Sequence, residues 1–385
     1  MKTRHFIYIF LIVFSAVSCR KEPVVQPAPE EISFAAPAVA QTKSVLITDV
    51  EGMVSGENER AYSVFASRYI PGPDGSITRH QQFMNDVKVY SRKTDDVWSP
   101  WQYDSDPQTD GVQHFYWSPG AGYKFFAVYP YYNPDNDAYD LGISYSIDEA
   151  KHALKVTGKH EFGTGDEPII CTGNNGKELC PDILYGVRAF TEPYQVGEDR
   201  GAVNFTMHHA LSAVSFRLRN ATDNDITKIT TECISGFMNA SDHVWLSENG
   251  AEWATPKTVT DKNGENFHNF KVPDFNTGND AEKKISKGAY YPDENSYWCT
   301  MLMIPQNFGT YQTSPSFSFT VKMSDLSTKT YTIKFKDYAV NNVAEHAYAY
   351  LPGYHYIYSF NVTATKITCD VEIVPWIEDE FIELN

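Results

Sequence analysis

The chain contains 385 residues with a formal net charge of −17 at pH 7, and 42% of its residues are hydrophobic. The surplus of carboxylates argues against nucleic acid and anionic membrane surfaces as partners, because both are bound through clusters of Lys and Arg. A chain of this length exceeds the usual size of a single core, so two domains are expected. Aromatic residues make up 14% of the chain, which favours β structure, since aromatic side chains suit pleated, half-buried surfaces.

The first 18 residues have the pattern of a bacterial export signal. Lys2 and Arg4 precede an apolar run over residues 6–17, which is too short for a membrane-spanning helix of about 20 residues. The run ends at Cys19 and resembles a lipobox in which Ala16 replaces the usual leucine. The pattern predicts a lipid on Cys19 and an outer-membrane lipoprotein; the alternative is an ordinary secretory signal with an incidental cysteine.

The remaining chain predicts a tether followed by β structure. Residues 19–30 contain three prolines and form an extended tether without a core. Runs of alternating apolar and polar residues then indicate strands. These runs lie at residues 87–90, 203–207, 214–218, 331–335 and 367–373, and residues 123–129 are a further, mostly apolar strand. One weak helical pattern covers residues 148–154. The polar stretch 191–201 is the expected boundary between an N-terminal domain of residues 31–200 and a C-terminal domain of residues 201–385.

The sequence lacks the motifs of common catalytic sites. It contains no G-x-S-x-G, H-E-x-x-H, P-loop or dinucleotide fingerprint, so the protein is expected not to be an enzyme and to bind no cofactor. His208 and His209 are neighbours on a predicted strand, so their side chains point to opposite faces. They are expected to lie at the edge of a core rather than to bind a metal ion. The Asp-rich stretch 133–140 lacks the glycine of a calcium loop and is expected to be solvated.

The cysteines other than Cys19 do not form an obvious disulfide framework, because five remain. Cys171 and Cys180 flank a Gly/Asn-rich loop, so they either form a disulfide that closes a hairpin or stay as thiols. The remaining three lie in apolar, strand-like runs and are expected to be buried small hydrophobic residues. These are Cys233, Cys299 and Cys369.

A group of aromatic residues offers an alternative function. If their rings were exposed side by side, they would form a face that stacks on sugars, and the protein would be a surface glycan-binding lipoprotein. The competing interpretation is packing in the core of a sandwich. The group consists of Trp98, Trp101, Trp117, Tyr129, Tyr131 and Tyr132.

Several short motifs occur in a fixed order along the chain. They are EISF at 31–34, YSVFA at 62–66, FMNDVKV at 83–89, YWSP at 116–119, FFAVYP at 125–130, DILY at 182–185, HALS at 209–212, LPGYHY at 351–356 and VPW at 374–376. Together they resemble the fimbrillin family, the subunits of type V pili in Bacteroidales. The resemblance implies an all-β chain with two transthyretin-like Greek-key β-sandwich domains in tandem. It also implies a fimbrial subunit that contributes to cell adhesion, as stalk, tip or anchor.

The resemblance further implies assembly by strand exchange. A trypsin-like protease would remove the lipidated N-terminal strand, here the alternating Ile32, Phe34 and Ala36, by cutting after Lys43 or Arg60. A strand of a neighbouring subunit, usually its C-terminal segment, would then fill the vacated groove. The candidate donor residues are Phe381, Ile382 and Leu384; a solvated tail is the alternative for them. The expected partners are other pilus subunits, the outer membrane through Cys19, and a host or bacterial surface receptor.

Overall fold

The computed structural model describes fourteen stretches of the chain, and they form an all-β protein. The stretches are 30–39, 54–56, 58–72, 77–104, 114–131, 144–148, 151–161, 169–170, 182–238, 240–257, 270–276, 284–293, 296–338 and 348–375. Within them, the only helical segments are two 3-10 turns at Phe308–Thr310 and Phe335–Tyr338. No helix in this part of the chain is long and apolar enough to cross a membrane.

The strands are numbered in chain order. The first twelve are β1 (Ala38–Val39), β2 (Val54–Gly56), β3 (Glu59–Pro71), β4 (Ile77–Thr94), β5 (Val97–Trp98), β6 (Gln102–Asp104), β7 (Gly122–Tyr129), β8 (Ser144–Asp148), β9 (Ala153–Glu161), β10 (Ile169–Ile170), β11 (Leu184–Phe190) and β12 (Thr206–His209).

The remaining fifteen strands follow β12. They are β13 (Ser212–Asn220), β14 (Ile226–Thr231), β15 (Cys233–Ile234), β16 (Ala240–Ser247), β17 (Gly250–Trp253), β18 (Phe270–Lys271), β19 (Phe275–Asn276), β20 (Tyr290–Tyr291), β21 (Cys299–Met303), β22 (Gln306–Asn307), β23 (Ser316–Met323), β24 (Thr328–Lys334), β25 (Ala349–Tyr350), β26 (Tyr354–Val362) and β27 (Ile367–Pro375).

The N-terminal sheet has the order β1-β12-β11-β7-β3-β4-β5, with β2 on β3 and β6 on β4. Its long strands are antiparallel, whereas β1 runs parallel to β12. The face that carries Tyr62 and Val64 packs into a core with Phe125 and Trp117. The opposite face carries Phe65, which packs into the larger, second core. The sheet is therefore apolar on both sides, which explains why β3 reads as an almost unbroken buried run.

The second core lies mainly between two sheets of the C-terminal half. One has the order β20-β13-β26-β27 with β21 on β13, and the other has the order β19-β14-β23-β24. Phe317 and Phe319 alternate with polar residues on β23, so both rings face inward. Phe216 on β13 stacks on Phe317, with ring centroids 5.5 Å apart. The alternation predicted for residues 214–218, 331–335 and 367–373 is confirmed by strands β13, β24 and β27.

The helix predicted for residues 148–154 is wrong. Of its described residues, Asp148 ends β8, residues 151–152 lie in a turn, and residues 153–154 begin β9, which pairs with β8. Leu154 and Val156 alternate into the second core, and their period of two outweighs the weak helical pattern. The turn is closed by the carboxylate of Asp148, which accepts a hydrogen bond from the N–H of Lys151 at 2.8 Å. His152 has a φ of 51°, which is incompatible with a continuing right-handed helix.

Pairings of strands cross residue 200, the predicted domain boundary. β12 follows that position but pairs with β11 in the N-terminal sheet. β9 precedes it but pairs with β16, in a sheet of order β17-β16-β9-β8. The division into residues 31–200 and 201–385 stays a prediction.

The three strand cysteines differ in burial. Cys299 is fully buried in β21, as predicted. Cys233 and Cys369 are only half-buried, because they lie on β15 and on β27, the last strand of its sheet. Cys171 and Cys180 lie outside the described residues.

Candidate functional site

Residues 30–39 form an extended segment that joins two separate edges of the N-terminal sandwich. Its first half runs antiparallel to residues 114–117: the N–H of Ile32 donates to the carbonyl of Phe115 at 2.8 Å, and the N–H of Trp117 donates to the carbonyl of Glu30 at 3.0 Å. Its second half runs parallel to residues 203–207. There the N–H of Val203 donates to the carbonyl of Ser33 at 2.8 Å. This N-terminal segment thus pairs with both edges and completes the sandwich.

The second half of this segment contains a β-bulge. Phe34 lies opposite Val203, whereas Ala38 lies opposite Thr206. The step of four positions from Phe34 to Ala38 therefore lies opposite a step of only three from Val203 to Thr206. The segment carries one extra residue between these two pairs. Pro37 sits inside this step, where its missing N–H breaks no ladder bond. The buried side chains consequently follow a spacing of two, three and two residues. They are Ile32, Phe34, Pro37 and Val39.

This bulge corrects the predicted orientation of Ala36. The sequence suggested that Ile32, Phe34 and Ala36 alternate on one face, but Ala36 is exposed. The extra residue shifts the phase of the strand, so Pro37 is turned inward in its place. Ile32 and Phe34 are buried as expected, with 0% and 5% of their surface exposed.

The side chain of Phe34 enters a pocket of aromatic rings. Its ring lies 5.8 Å from that of Tyr103, 6.3 Å from Phe125 and 6.4 Å from Phe205, measured between centroids. Burial of an Ile, Phe or Val side chain contributes about 1.5–3 kcal/mol. Ile32, Phe34 and Val39 together therefore stabilise the N-terminal core by roughly 5–9 kcal/mol, an upper estimate because unfolded chains are partly compact.

A polar contact fixes the start of the segment. The hydroxyl of Tyr103 donates to Glu31 Oε1 at 2.9 Å, and His114 Nδ1 lies 2.6 Å from the same oxygen. The hydrogen bond with His114 is the main cause that lowers the pKa of Glu31. Burial raises the pKa of Tyr103 to about 12, so its hydroxyl stays protonated and able to donate. These partners lie 72 and 83 residues from Glu31 in the chain, and no local sequence pattern connects them.

The two candidate cleavage sites occupy different parts of the chain. Lys43 lies outside the described residues, four positions after Val39. Arg60 belongs to β3, where it pairs with Ser91, and its guanidinium carbon lies 3.6 Å from the ring centroid of Trp98. A protease needs an extended segment that leaves its sheet, so Arg60 would require part of the central hairpin to open. Cys19, Phe381, Ile382 and Leu384 also lie outside the described residues.

The aromatic group does not form an exposed sugar-binding face. Trp117 is fully buried, and Tyr129 and Tyr131 expose only 6% and 8% of their surface. Trp98 and Trp101 are half-buried, and Tyr132 lies outside the described residues. Of the two alternatives left open by the sequence, the described rings favour packing in the core, because they fill the sandwich and its margins.

Trp117 shows what these rings do instead. Its ring packs edge-on against Tyr123 and Phe190, at 4.9 and 5.2 Å between centroids. The guanidinium of Arg200 lies 5.3 Å from the Trp117 ring and 5.5 Å from that of Tyr194. Such cation–π contacts are worth more when the charge is desolvated. The cluster thus holds the stretch after β11 against the core.

The adjacent histidines on β12 have separate environments. Nδ1 of His209 lies 3.0 and 2.8 Å from the two carboxylate oxygens of Asp182, and both side chains are buried. His208 pairs with Tyr185, and burial lowers the pKa of its imidazole. Among the described residues, no three His, Cys, Asp or Glu side chains are grouped to hold a metal ion. The stretch 133–140 lies outside them.

A third histidine is buried on β26 of the C-terminal sheet. His355 Nε2 lies 2.7 Å from the hydroxyl oxygen of Ser215, which in turn lies 2.6 Å from that of Thr300. Burial, with a smaller contribution from His209, lowers the pKa of His355 from 6.5 to about 4. The side chain is therefore neutral in the folded protein at neutral pH.

The chain matches a family model. The model described as fimbrillin-like covers residues 75–376, which is more than half of the chain. No curated protein matches the chain.

Several solved structures are similar to the chain at low sequence identity. A fimbrial protein from Bacteroides vulgatus has a TM-score of 0.46 and 17% identity, over 90% of this chain and 99% of that one. The tip fimbrial protein Mfa3 from Porphyromonas gingivalis, truncated at its C-terminus, has a TM-score of 0.38 and 11% identity, over 90% and 100%. A fimbrial assembly protein from Parabacteroides distasonis has a TM-score of 0.34 and 11% identity, over 90% and 100%.

The bulge predicts opposite tolerance at two neighbouring positions. Phe34→Asp is expected to lower the free energy of unfolding by about 3–5 kcal/mol, because it empties the aromatic pocket and buries a carboxylate. Ala36→Asp is expected to change it by less than about 0.5 kcal/mol, because position 36 is exposed. Urea unfolding of both variants measures this difference. An equal loss from Ala36→Asp would show that the strand has no bulge.

His355 predicts a loss of stability in acid. Its folded-state pKa is about 4 and its ordinary value is 6.5, so the unfolded chain binds the proton first as the pH falls. The contribution of neutral His355 to the free energy of unfolding is complete above about pH 6.5. It falls by about 3 kcal/mol as the pH is lowered towards 4. Chemical unfolding at pH 7 and pH 4.5 tests it against His355→Gln, which cannot titrate. The wild type should lose more stability than the variant, and equal losses would contradict the assignment.

Proposed function

Since the chain belongs to the fimbrillin-like family, which supports a role as a fimbrial subunit at the cell surface, we propose that it joins a fimbria by strand exchange. In this proposal, residues 30–39 are removed after export. A strand of a neighbouring subunit then enters the groove that they leave. The observation that carries the proposal is the way this segment completes the N-terminal sandwich from one end of the chain.

The physical basis is β-strand addition. Removal of residues 30–39 would leave the N–H of Val203 and the N–H of Trp117 without their acceptors, the carbonyls of Ser33 and Glu30. It would also open the pockets of Ile32 and Phe34 to water. Unpaired strand edges beside apolar pockets bind an incoming strand through main-chain hydrogen bonds and alternate side chains. The vacated groove therefore favours association.

The proposed cleavage follows Lys43. A cut at this position would release the whole resident strand and would leave β3 intact. A cut after Arg60 would divide β3, whose following residues Ala61 and Tyr62 are fully buried. The proposed enzyme is thus a protease that accepts lysine.

The proposed export route attaches a lipid to Cys19. Glu30 lies eleven positions after this cysteine, and an extended chain over that distance spans about 35 Å. The same strand would then tie the membrane anchor to the sandwich until cleavage separates them. The proposed partners are other pilus subunits, the outer membrane through Cys19 and a surface receptor. Phe381, Ile382 and Leu384 are the proposed donor residues towards a neighbouring subunit.

Blocking the proposed cleavage tests the role in the source bacterium. The wild-type protein is expected to begin at Ser44 and to appear in SDS-resistant complexes of high mass in sheared surface fimbriae. Lys43→Gln should stay at monomer mass in the membrane fraction, because its groove remains filled. Lys366→Gln, at an exposed turn, is the control and should assemble normally. Immunoblots of both fractions and N-terminal sequencing provide the readout.

Strand exchange would be refuted if the protein that begins at Ser44 runs only as a monomer in SDS gels of intact fimbriae. It would also be refuted if Lys43→Gln assembles as well as the wild type.

A further inference from the structure

The segment 30–39 defines which strand its groove accepts. Four positions of the segment face inward, and they lie two, three and two positions apart along the chain. They are occupied by Ile32, Phe34, Pro37 and Val39. The second position is a pocket of aromatic rings from Tyr103, Phe125 and Phe205. An occupant therefore needs apolar side chains at all four positions, because a carboxylate there would be buried without water.

The position before the first inward residue has its own chemistry. Glu31 lies there, with its carboxylate bonded to Tyr103 and His114. An acidic residue at this place in the occupant would reproduce both contacts.

Residues 374–385 of this same chain do not meet these requirements. An eight-residue span with inward positions one, three, six and eight can begin at any of residues 374–378. Each of these five frames turns at least one Asp or Glu inward. The best frame turns Ile377, Asp379, Ile382 and Leu384 inward, which places Asp379 in the aromatic pocket. It also places Trp376, instead of an acidic residue, beside Tyr103 and His114.

Neither a reversed direction of the tail nor a tail without a bulge removes the inward Asp or Glu. The two-three-two spacing is symmetric, so a tail that enters in the opposite direction uses the same sets of residues. A tail with strict alternation and no bulge again turns Asp or Glu inward in every frame that begins at 374–378.

One fully apolar set exists nearby, but it is already in use. It consists of Cys369, Val371, Val374 and Trp376. The first three residues belong to β27, and all nine residues of that strand pair with β26. If these residues served as a donor strand, β27 would have to leave β26, and the C-terminal sheet would lose its last strand.

We infer that the groove of residues 30–39 is specific for a strand from a different protein subunit, with apolar side chains spaced two, three and two residues apart, an aromatic ring at the second, and an acidic residue before the first. The inference rests on the proposed strand exchange. It makes an unlike neighbour, and not residues 374–385 of an identical copy, the occupant of this groove.

Peptide competition on the folded protein tests the inference. Residues 20–385 are cleaved after Lys43, or at a protease site inserted between Val39 and Ser44, so that residues 30–39 remain bound without a covalent link. A fluorescent peptide of residues 29–41 is exchanged into the groove and followed by polarisation. Three unlabelled competitors are compared: the same peptide, the tail peptide 374–385, and the tail peptide with Asp379→Phe.

The resident peptide should displace the probe, and the wild-type tail should be at least 100-fold weaker. Asp379→Phe should improve the tail at least tenfold, because it fills the aromatic pocket, whereas a tail with Asp379→Glu should stay as weak as the wild type. Competition by the wild-type tail within threefold of the resident peptide would overturn the inference and leave strand exchange intact. No gain from Asp379→Phe would overturn the spacing rule. Failure of the resident peptide to rebind would overturn strand exchange itself.

Discussion

The burial of Ile32 and Phe34 by the N-terminal sandwich is the interaction on which the rest of this structure depends. The segment that carries them meets residues 114–117 on one side and residues 203–207 on the other. Both neighbours lie far away in the chain, and each needs the segment to satisfy its backbone. A core that is completed by a stretch near one chain terminus can be opened without unfolding the remaining strands. The proposed strand exchange depends on this property.

The two cores make such an opening tolerable. The N-terminal sheet shares its second face with the larger core, through Phe65 and Phe126. That face does not contact residues 30–39 and would stay covered after their removal. The Trp117 ring, with Arg200 5.3 Å away, packs in the same core as Ile32 and Phe34 and would keep its other aromatic contacts. The lost contacts would thus be confined to one groove, whose shape is set by strands that remain.

The sequence patterns predicted the all-β fold and located five of its long strands, because a half-buried strand shows its two faces directly; these are β4, β7, β13, β24 and β27. The bulge at Ala36 could not be derived from alternation, since it depends on the register with residues 203–206. The proline at position 37 is a local sign of such a bulge. The sequence left open whether Trp117 packs in the core or lies on an exposed face, because composition does not reveal which rings are buried. The contact of Glu31 with Tyr103 and His114 joins distant residues and has no local sign.

Hydrogen exchange at two amides tests directly whether residues 30–39 fill a groove that is refilled in the fimbria. The N–H groups of Val203 and Trp117 donate to carbonyls of residues 30–39. Strand exchange predicts slow exchange of both amides in the intact protein and fast exchange after residues 30–39 have been removed. It predicts slow exchange again in the assembled fimbria. Exchange at these two amides that stays slow after removal, while the rest of the fold is unchanged, would contradict it.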